Sequence, residues 1–312
     1  MELLRSLSTL KAFPNGSVVT VGNFDGVHLG HQAVIGQLKQ HAQSLGVLSV
    51  VLTFEPQPLE HFRAEAAPAR LTSFREKFLQ LRAEGIDKLV CLHFQSSLAK
   101  VSAEDFVQKL FVDAMSMKRI IIGDDFRFGR DREGDISVLR NMGEESGFDV
   151  IPIESFSLCG ARVSSSRIRQ ALAEHNFDSV SSLLGRPYSI SGRVRHGDKR
   201  GRQLGFPTAN ISLSRTTSPL LGVYAVRVRG VEDKVINGVA NIGTRPVFDG
   251  KQLLLEVHLL DYQNDIYGKH IDVEFLQYLR GETKFASIDD LKKQIDQDID
   301  DAKNVFELTN NK

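Results

Sequence analysis

Two histidines three residues apart stand in the run Gly22-Asn23-Phe24-Asp25-Gly26-Val27-His28-Leu29-Gly30-His31. In the first turn of a helix that spacing turns both imidazoles the same way. Gly30 between them lets another group come close to the backbone. The unpaired amides of a helix N-terminus point at the same place and favour a phosphate there. Two imidazoles and free amides suit a reaction in which charge builds on phosphate oxygens. They suit zinc poorly, because no third ligand of the right type stands nearby.

A second constellation lies in the other half, at Gly201-Arg202-Gln203-Leu204-Gly205-Phe206-Pro207-Thr208-Ala209-Asn210. The chain has no GxxxxGK[ST] phosphate loop, so a kinase built here must hold phosphate another way. In an extended segment Thr208 and Asn210 face the same side. A hydroxyl and an amide carbonyl are hard oxygen ligands, acceptable to Mg²⁺ beside phosphate and water. Glu256 shares a strand face with Leu254, His258 and Leu260, where a carboxylate is either a rim charge or a placed base. Arg193, Arg195, Lys199, Arg200 and Arg202 form a basic cluster next to the second constellation.

These groups need elements to carry them. In the first half strand-like and helix-like runs alternate: Ser17–Val21, Leu29–Ser44, Val47–Phe54, Phe74–Ala83, Ile86–Leu92, Ala103–Met115, Arg119–Gly123, Ile136–Glu145 and Phe148–Ile153. That alternation predicts a parallel sheet with helices on its faces. Ligands then bind at the carboxyl ends of the strands, after Val21, Phe54 and Ile122. Those places hold Gly22 onward, Phe54-Glu55-Pro56-Gln57-Pro58, and Gly123-Asp124-Asp125-Phe126-Arg127-Phe128-Gly129. Phe126 and Phe128 read either as core or as the lining of a ligand pocket. In the second half short β-rich runs recur at Tyr188–Val194, Val223–Val228, Val235–Ala240, Leu253–Leu260 and Ile271–Leu279, which predicts an antiparallel sheet or small barrel. Ile288–Phe306 has the period of an amphipathic helix packed outside it. Leu184-Gly185-Arg186-Pro187 marks the change of texture and places a boundary there.

Composition sets the frame. The chain has 312 residues, 41% hydrophobic and 25% charged, with Lys plus Arg equal to Asp plus Glu at 39 each. That is two domains' worth of ordinary globular sequence. Zero net charge argues against broad nonspecific nucleic-acid binding. Cys91 and Cys159 cannot form a disulfide framework and fit a cytoplasmic protein; Cys91, in an apolar run, reads as a buried small hydrophobe. No signal peptide and no apolar run long enough to span a membrane is expected.

His28-Leu29-Gly30-His31 resembles the HxGH signature of the nucleotidyltransferases, which transfer a nucleotidyl group and release pyrophosphate. With the runs at Phe54, at Gly123 and at Val163-Ser164-Ser165-Ser166-Arg167-Ile168-Arg169, it resembles the FMN adenylyltransferase module of the bacterial bifunctional riboflavin kinase/FAD synthetases. Phe206-Pro207-Thr208-Ala209-Asn210, Gly222-Val223-Tyr224-Ala225, Asn241-Ile242-Gly243-Thr244-Arg245-Pro246, Leu255-Glu256-Val257-His258 and Arg280-Gly281-Glu282-Thr283-Lys284-Phe285 resemble that family's kinase module in order. The resemblance implies an α/β Rossmann-like nucleotidyltransferase domain over 1–184. After it comes a small antiparallel β-barrel riboflavin kinase domain with a C-terminal helix, over 185–312.

The resemblance also implies roles. Glu256 would be the general base toward the ribityl 5′-hydroxyl, with Mg²⁺ on Thr208 and Asn210. Gly201, Gly205, Pro207, Asn241, Arg245 and Arg280 would hold ATP or flavin. In the first module His28 and His31 would act on the phosphates. Gly22, Asn23, Phe24, Asp25, Gly30, Ser164, Ser165 and Arg169 would bind ATP, and Pro56, Asp125, Phe126, Arg127 and Phe128 the flavin. Gln57 departs from the His that many members carry. Substrates would be riboflavin, FMN and ATP, with no membrane or nucleic-acid partner. Two alternatives remain at this point: only the kinase half active, or a flavin-binding or RNA-binding regulator.

Overall fold

A computed structural model describes residues 1–6, 13–123, 125–197, 201, 204–213, 217–247 and 250–310, the side chains of 245–247, 250–252 and 310 excepted. The chain divides into two compact units, residues 1–68 with 74–165, and 69–73 with the residues from 166 onward.

In the first unit, runs rich in Val, Ile and Leu form the strands. They are β1 (Glu2–Leu4), β2 (Ser17–Val21), β3 (Leu48–Glu55), β4 (Lys88–His93), β5 (Met117–Gly123) and β6 (Asp149–Ile153). Among the described residues they make one sheet in the order β1-β4-β3-β2-β5-β6, and every pairing is parallel. The central β2, β3 and β4 are buried on both faces, and the edge strands β1 and β6 are more exposed. Parallel strands need crossovers, usually helical. Here these include α1 (Leu29–Leu45), α2 (Pro58–Phe62), α3 (Phe74–Ala83), α4 (Ser96–Ala99), α5 (Ala103–Phe106) and α6 (Ile136–Ser146). Successive strand residues feed opposite faces. Val19, Leu52 and Ile120 pack with Phe106 and Phe111, while Val18, Val51 and Ile121 pack with Ile35, Leu38 and Leu81. From β2 the chain winds one way through β3 and β4 and the other way through β5 and β6. The crevice at such a reversal, beyond the carboxyl ends of β2 and β5, is where an open α/β sheet binds ligands.

Two details differ from expectation. The helix expected over Ala103–Met115 passes after α5 into a π-helical stretch, Val107–Ala114, and Phe106, Val107, Leu110 and Phe111 are all buried along it. β1, three residues long, adds to the edge of the sheet beside β4.

The short hairpin β7 (Ser157–Leu158) and β8 (Ala161–Arg162) leads to α7 (Ser165–Ala173) and α8 (Phe177–Leu184). Asn176 caps α8 by accepting from the Ser179 amide at 3.0 Å, and Gly185 ends it at a φ of +72°. Then follow β9 (Ser189–Arg195), β10 (Thr208–Ser212), β11 (Gly222–Arg229), β12 (Ile236–Val247), β13 (Gly250–Leu259) and β14 (His270–Arg280). Among the described residues they close into an antiparallel barrel in the order β10-β13-β12-β11-β14-β9. The interior is filled by side chains such as Val226, Ile242, Leu255 and Val257, each at most 0% exposed. The C-terminal helix α9 (Ile288–Asn310) lies on the outside, with Ala302, Val305 and Phe306 packed on Ala225, Val239 and Leu276. Among the described residues no helix is long and apolar enough to cross a membrane. Cys91 is buried, as its apolar surroundings predict, and both cysteines are free thiols.

Candidate functional sites

The first site forms where β2 gives way to α1. The turn is tight: Phe24 at φ +48° and Val27 at φ +37° hold conformations uncommon outside glycine, with Gly26 at +84° between them. Burial over-determines them, since Phe24 is 2% and Val27 0% exposed in the core under α1. His28 is the N-cap of α1, and its Nδ1 accepts from the His31 amide at 3.3 Å. The two imidazoles stack, centroids 3.6 Å apart and 16° from parallel. The spacing rule thus holds at this helix start, and the Phe24 ring packs 5.0 Å from His31. A Cβ on Gly30 would lie 3.2 Å from the His28 ring and 3.3 Å from the Val163 carbonyl oxygen.

Burial first, then the neighbouring His28, then Lys77, hold the His31 pKa well below its ordinary value. His31 is therefore neutral near pH 7. Its Nδ1 is buried and has no hydrogen-bond partner among the described residues. Lys77 was not foreseen. It is fully buried on α3, four residues before the buried Leu81, so it sits on that helix's inward stripe. A lysine on an apolar stripe was the available signal.

Around this pair, Asp25 is buried and its carbonyl accepts from Ser165 Oγ at 2.9 Å, which brings the start of α7 to the histidine turn. Asn23 is exposed, and its carbonyl lies 3.5 Å from Thr53 Oγ1. The Gly22 amide donates to the Leu52 carbonyl at 3.1 Å. Pro56 and Gln57 follow β3, and Gln57 Nε2 is buried with no partner among the described residues. After β5, Asp125 pairs with Arg162 at 2.9 Å, and that bond holds its carboxyl below the usual carboxylate range. Phe126 stacks on Phe128 with centroids 5.4 Å apart. Phe128 belongs to the core, 7% exposed, and Phe126 is half-buried against it. Arg127 is exposed and donates to the Phe126 carbonyl. Asp124 lies outside the described residues. Arg169 belongs to the second unit, where its Nε donates to the Ala69 carbonyl at 2.6 Å.

The second site is organised by sheet register. Asn210 on β10 stands opposite Arg195 on β9 and Glu256 on β13; Glu256 stands opposite Asn241 on β12; Asn241 opposite Val223 on β11; Val223 opposite Arg280 on β14. Directly opposed residues share a face. One row across the barrel therefore carries Asn210, Glu256, Asn241 and Arg280, which lie far apart in sequence. Ala225 and Val239, two residues along from Val223 and Asn241, pack against α9, so the row belongs to the outer face beneath that helix.

A cavity of about 420 Å³ lies there. Its lining mixes polar residues, among them Glu256, Asn241, His258, Arg280 and Asp298, with apolar Val223, Val239, Phe285, Leu291 and Ile295. A second, 60 Å³ cavity is lined by Pro207, Asn210 and the loop from Tyr262 to Tyr267. Thr208 lines both. His258 Nδ1 donates to the Pro207 carbonyl at 2.9 Å, fixing the segment that presents Thr208. Asn210 is 8% exposed; its Nδ2 donates to the Thr208 carbonyl at 3.3 Å, and a Cβ on Gly197 would lie 2.7 Å from its Cγ. Gly201 is required in the same way, because a Cβ there would collide with the Phe206 carbonyl. Gly205 has φ +96°. Asn241 Oδ1 is buried without a hydrogen-bond partner among the described residues. Arg280 is bound bidentately by Asp298, at 2.7 Å twice. The side chain of Arg245, and Lys199, Arg200 and Arg202 of the basic cluster, lie outside the described residues.

Fold and sites define a class: a nucleotidyl-transfer domain joined to a flavokinase barrel. Comparisons agree. Residues 10–167 match the FAD synthetase family and residues 184–306 the riboflavin kinase family. The bifunctional riboflavin kinase/FMN adenylyltransferase of Escherichia coli (strain K12) is 47% identical over 310 residues, 99% of each chain. That of Haemophilus influenzae is 45% identical, over 98% of this chain and 99% of the relative. A crystal structure from Streptococcus pneumoniae, described as a macrolide-efflux protein, superposes with a TM-score of 0.79 at 32% identity, over 97% of this chain and 99% of that one. The chain belongs to the bifunctional riboflavin kinase/FMN adenylyltransferase family. It is a two-activity transferase that makes FAD from riboflavin in two ATP-dependent steps.

Proposed function

We propose that the two steps divide at Leu184/Gly185, with residues 185–312 phosphorylating riboflavin and residues 1–184 adenylating the FMN produced. The observation that carries the kinase assignment is the row Asn210–Glu256–Asn241, in which Glu256 and Asn241 line the larger cavity and Asn210 lines the smaller one beside Thr208. The flat ring of riboflavin lies among Val223, Val239, Phe285 and Leu291, and its ribityl tail runs toward Glu256. Glu256 takes the proton of the 5′-hydroxyl as that oxygen bonds the γ-phosphorus of ATP and the bond to the β-phosphate oxygen breaks. ATP approaches from the smaller cavity. Thr208, which lines both cavities, marks where the two substrates meet.

Mg²⁺ fits this place. Thr208 and Asn210 offer two hard, neutral oxygens, and the bond from Asn210 Nδ2 to the Thr208 carbonyl turns the amide so that Oδ1 is the free acceptor. When bound, the ion neutralises charge on the transferred phosphate. Asn210 and Thr208 orient the phosphates, and Asn241 Oδ1 is an unused acceptor for a ligand hydroxyl.

In the first unit an FMN phosphate oxygen bonds the α-phosphorus of a second ATP, and pyrophosphate leaves. His28 and His31 donate hydrogen bonds to the phosphates as charge shifts onto the leaving group. The start of α7, with Ser164 and Ser165, holds phosphate beside them. Phe126 and Arg127, after β5, border the flavin. The free thiols Cys91 and Cys159 support a cytoplasmic location.

Glu256→Gln tests the kinase half. With riboflavin, ATP and Mg²⁺ the variant forms at least 100-fold less FMN, while supplied FMN is still converted to FAD. Near-normal FMN formation would remove Glu256 from the base role.

A further inference from the structure

Three of the five N–H donors of Arg280 are committed within the protein. Its Nε and Nη2 donate to the two oxygens of Asp298, both at 2.7 Å, and its Nη1 donates to the Gly281 carbonyl at 2.9 Å. One guanidinium face covers the ring of Phe285, 5.7 Å to the centroid. Asp298 is only 3% exposed, and Gln294, one turn earlier on α9, donates to it at 3.0 Å. Arg280, Phe285 and Asp298 all line the 420 Å³ cavity.

The two halves of α9 are held differently. Its C-terminal half is anchored by Ala302, Val305 and Phe306 in an apolar cluster with the barrel. Its N-terminal half presents Leu291, Ile295 and Ile299 to the cavity, and Ile288 at its start is 64% exposed. Asp298 sits between the halves. A buried ion pair adds little net stability over apolar residues of the same volume, so stability alone does not account for one here. What a bidentate pair adds is a fixed distance and orientation, which sliding apolar contacts do not give.

We infer that Arg280 and Asp298 are positioning residues of the riboflavin site: their bidentate pair fixes the N-terminal half of α9 against the end of β14 and so sets the width of the slot that receives the flat flavin ring. This rests on the reading that the cavity takes riboflavin. The pair acts on recognition of the ring and not on the phosphoryl step, because Glu256, Thr208 and Asn210 stand on other strands of the barrel.

The test is steady-state kinetics of the full chain carrying Asp298→Asn, Arg280→Lys or Glu256→Gln, each with riboflavin and ATP varied. Asp298→Asn raises the KM for riboflavin at least tenfold, leaves kcat within about threefold, and leaves the KM for ATP unchanged. Arg280→Lys, which keeps the charge and one bond, gives a smaller rise. Riboflavin binding, followed by quenching of its fluorescence, weakens in parallel. A fall in kcat with an unchanged riboflavin KM, or an equal rise in the KM for ATP, overturns the inference. Should Asp298→Asn not fold, Arg280→Lys carries the same contrast. Glu256→Gln separates the two readings: loss of kcat there with no KM effect at Asp298 defeats the positioning role alone, whereas retained kcat defeats the site assignment beneath it.

Discussion

The stacked histidines show at residue scale how a fold sets a protonation state. Two imidazoles 3.6 Å apart cannot both carry charge cheaply, and Lys77 adds a further cation beside them. His31 is neutral in the folded protein at a pH where the unfolded chain would begin to protonate it. Its folded pKa lies below the ordinary 6.5, so the stability it contributes is complete above about pH 6.5 and is lost as the pH falls toward the depressed value. The slope is at most about 1.4 kcal/mol per pH unit for this one group. Chemical denaturation at about pH 7.5 and pH 5.5 tests this: the wild type loses more stability between the two than His31→Gln does. Equal losses would place His31 in ordinary solvation.

At the scale of elements, the joint between β2 and α1 is a constrained piece of backbone, with Phe24, Gly26 and Val27 all at positive φ, beside the proposed phosphate site. Gly30→Ala puts a methyl 3.2 Å from the His28 ring and 3.3 Å from the Val163 carbonyl. Both neighbours must yield by a few tenths of an ångström, and if His28 acts on the phosphates as proposed, its misplacement is costly in rate. FMN adenylation falls about tenfold or more in this variant, while riboflavin phosphorylation, measured in the same preparation, is unchanged.

The strands and helices around these joints were largely legible. Ser17–Val21 and Phe74–Ala83 occur with the bounds their patterns predict, because β-branched runs and 3.6-residue periods are local signals. What escaped was not local. β12 runs on to Val247, well past the Val235–Ala240 run the pattern predicts, because its pairing with β13 carries the strand beyond its local signal. β1 is too short to show a period. The row from Arg195 through Asn210, Glu256 and Asn241 to Arg280 depends on register across six strands. Motif resemblance named most of its members, but nothing in the sequence aligned them. The contact between Arg280 and Asp298, eighteen residues apart across a loop, was likewise invisible.

The whole molecule carries two chemistries that share a nucleotide, and the proposed assignment gives each its own site. Each unit has its own core, and its proposed reacting groups rest on its own elements: His28 and His31 on α1 and its cap, Glu256 on β13. The activities therefore fail independently under mutation. That sets this account apart from a chain with one working half and from a binding protein without turnover.

The most direct measurement is complementation, with flavins resolved by chromatography over time. Full-length Glu256→Gln and full-length His28→Ala/His31→Ala are each given riboflavin, ATP and Mg²⁺, alone and mixed. Alone, the first forms essentially no FMN, and the second accumulates FMN without FAD. Mixed, they make FAD after a lag in which FMN rises first. FAD formed by either variant alone at the wild-type rate would contradict the assignment of the two reactions to these two sites.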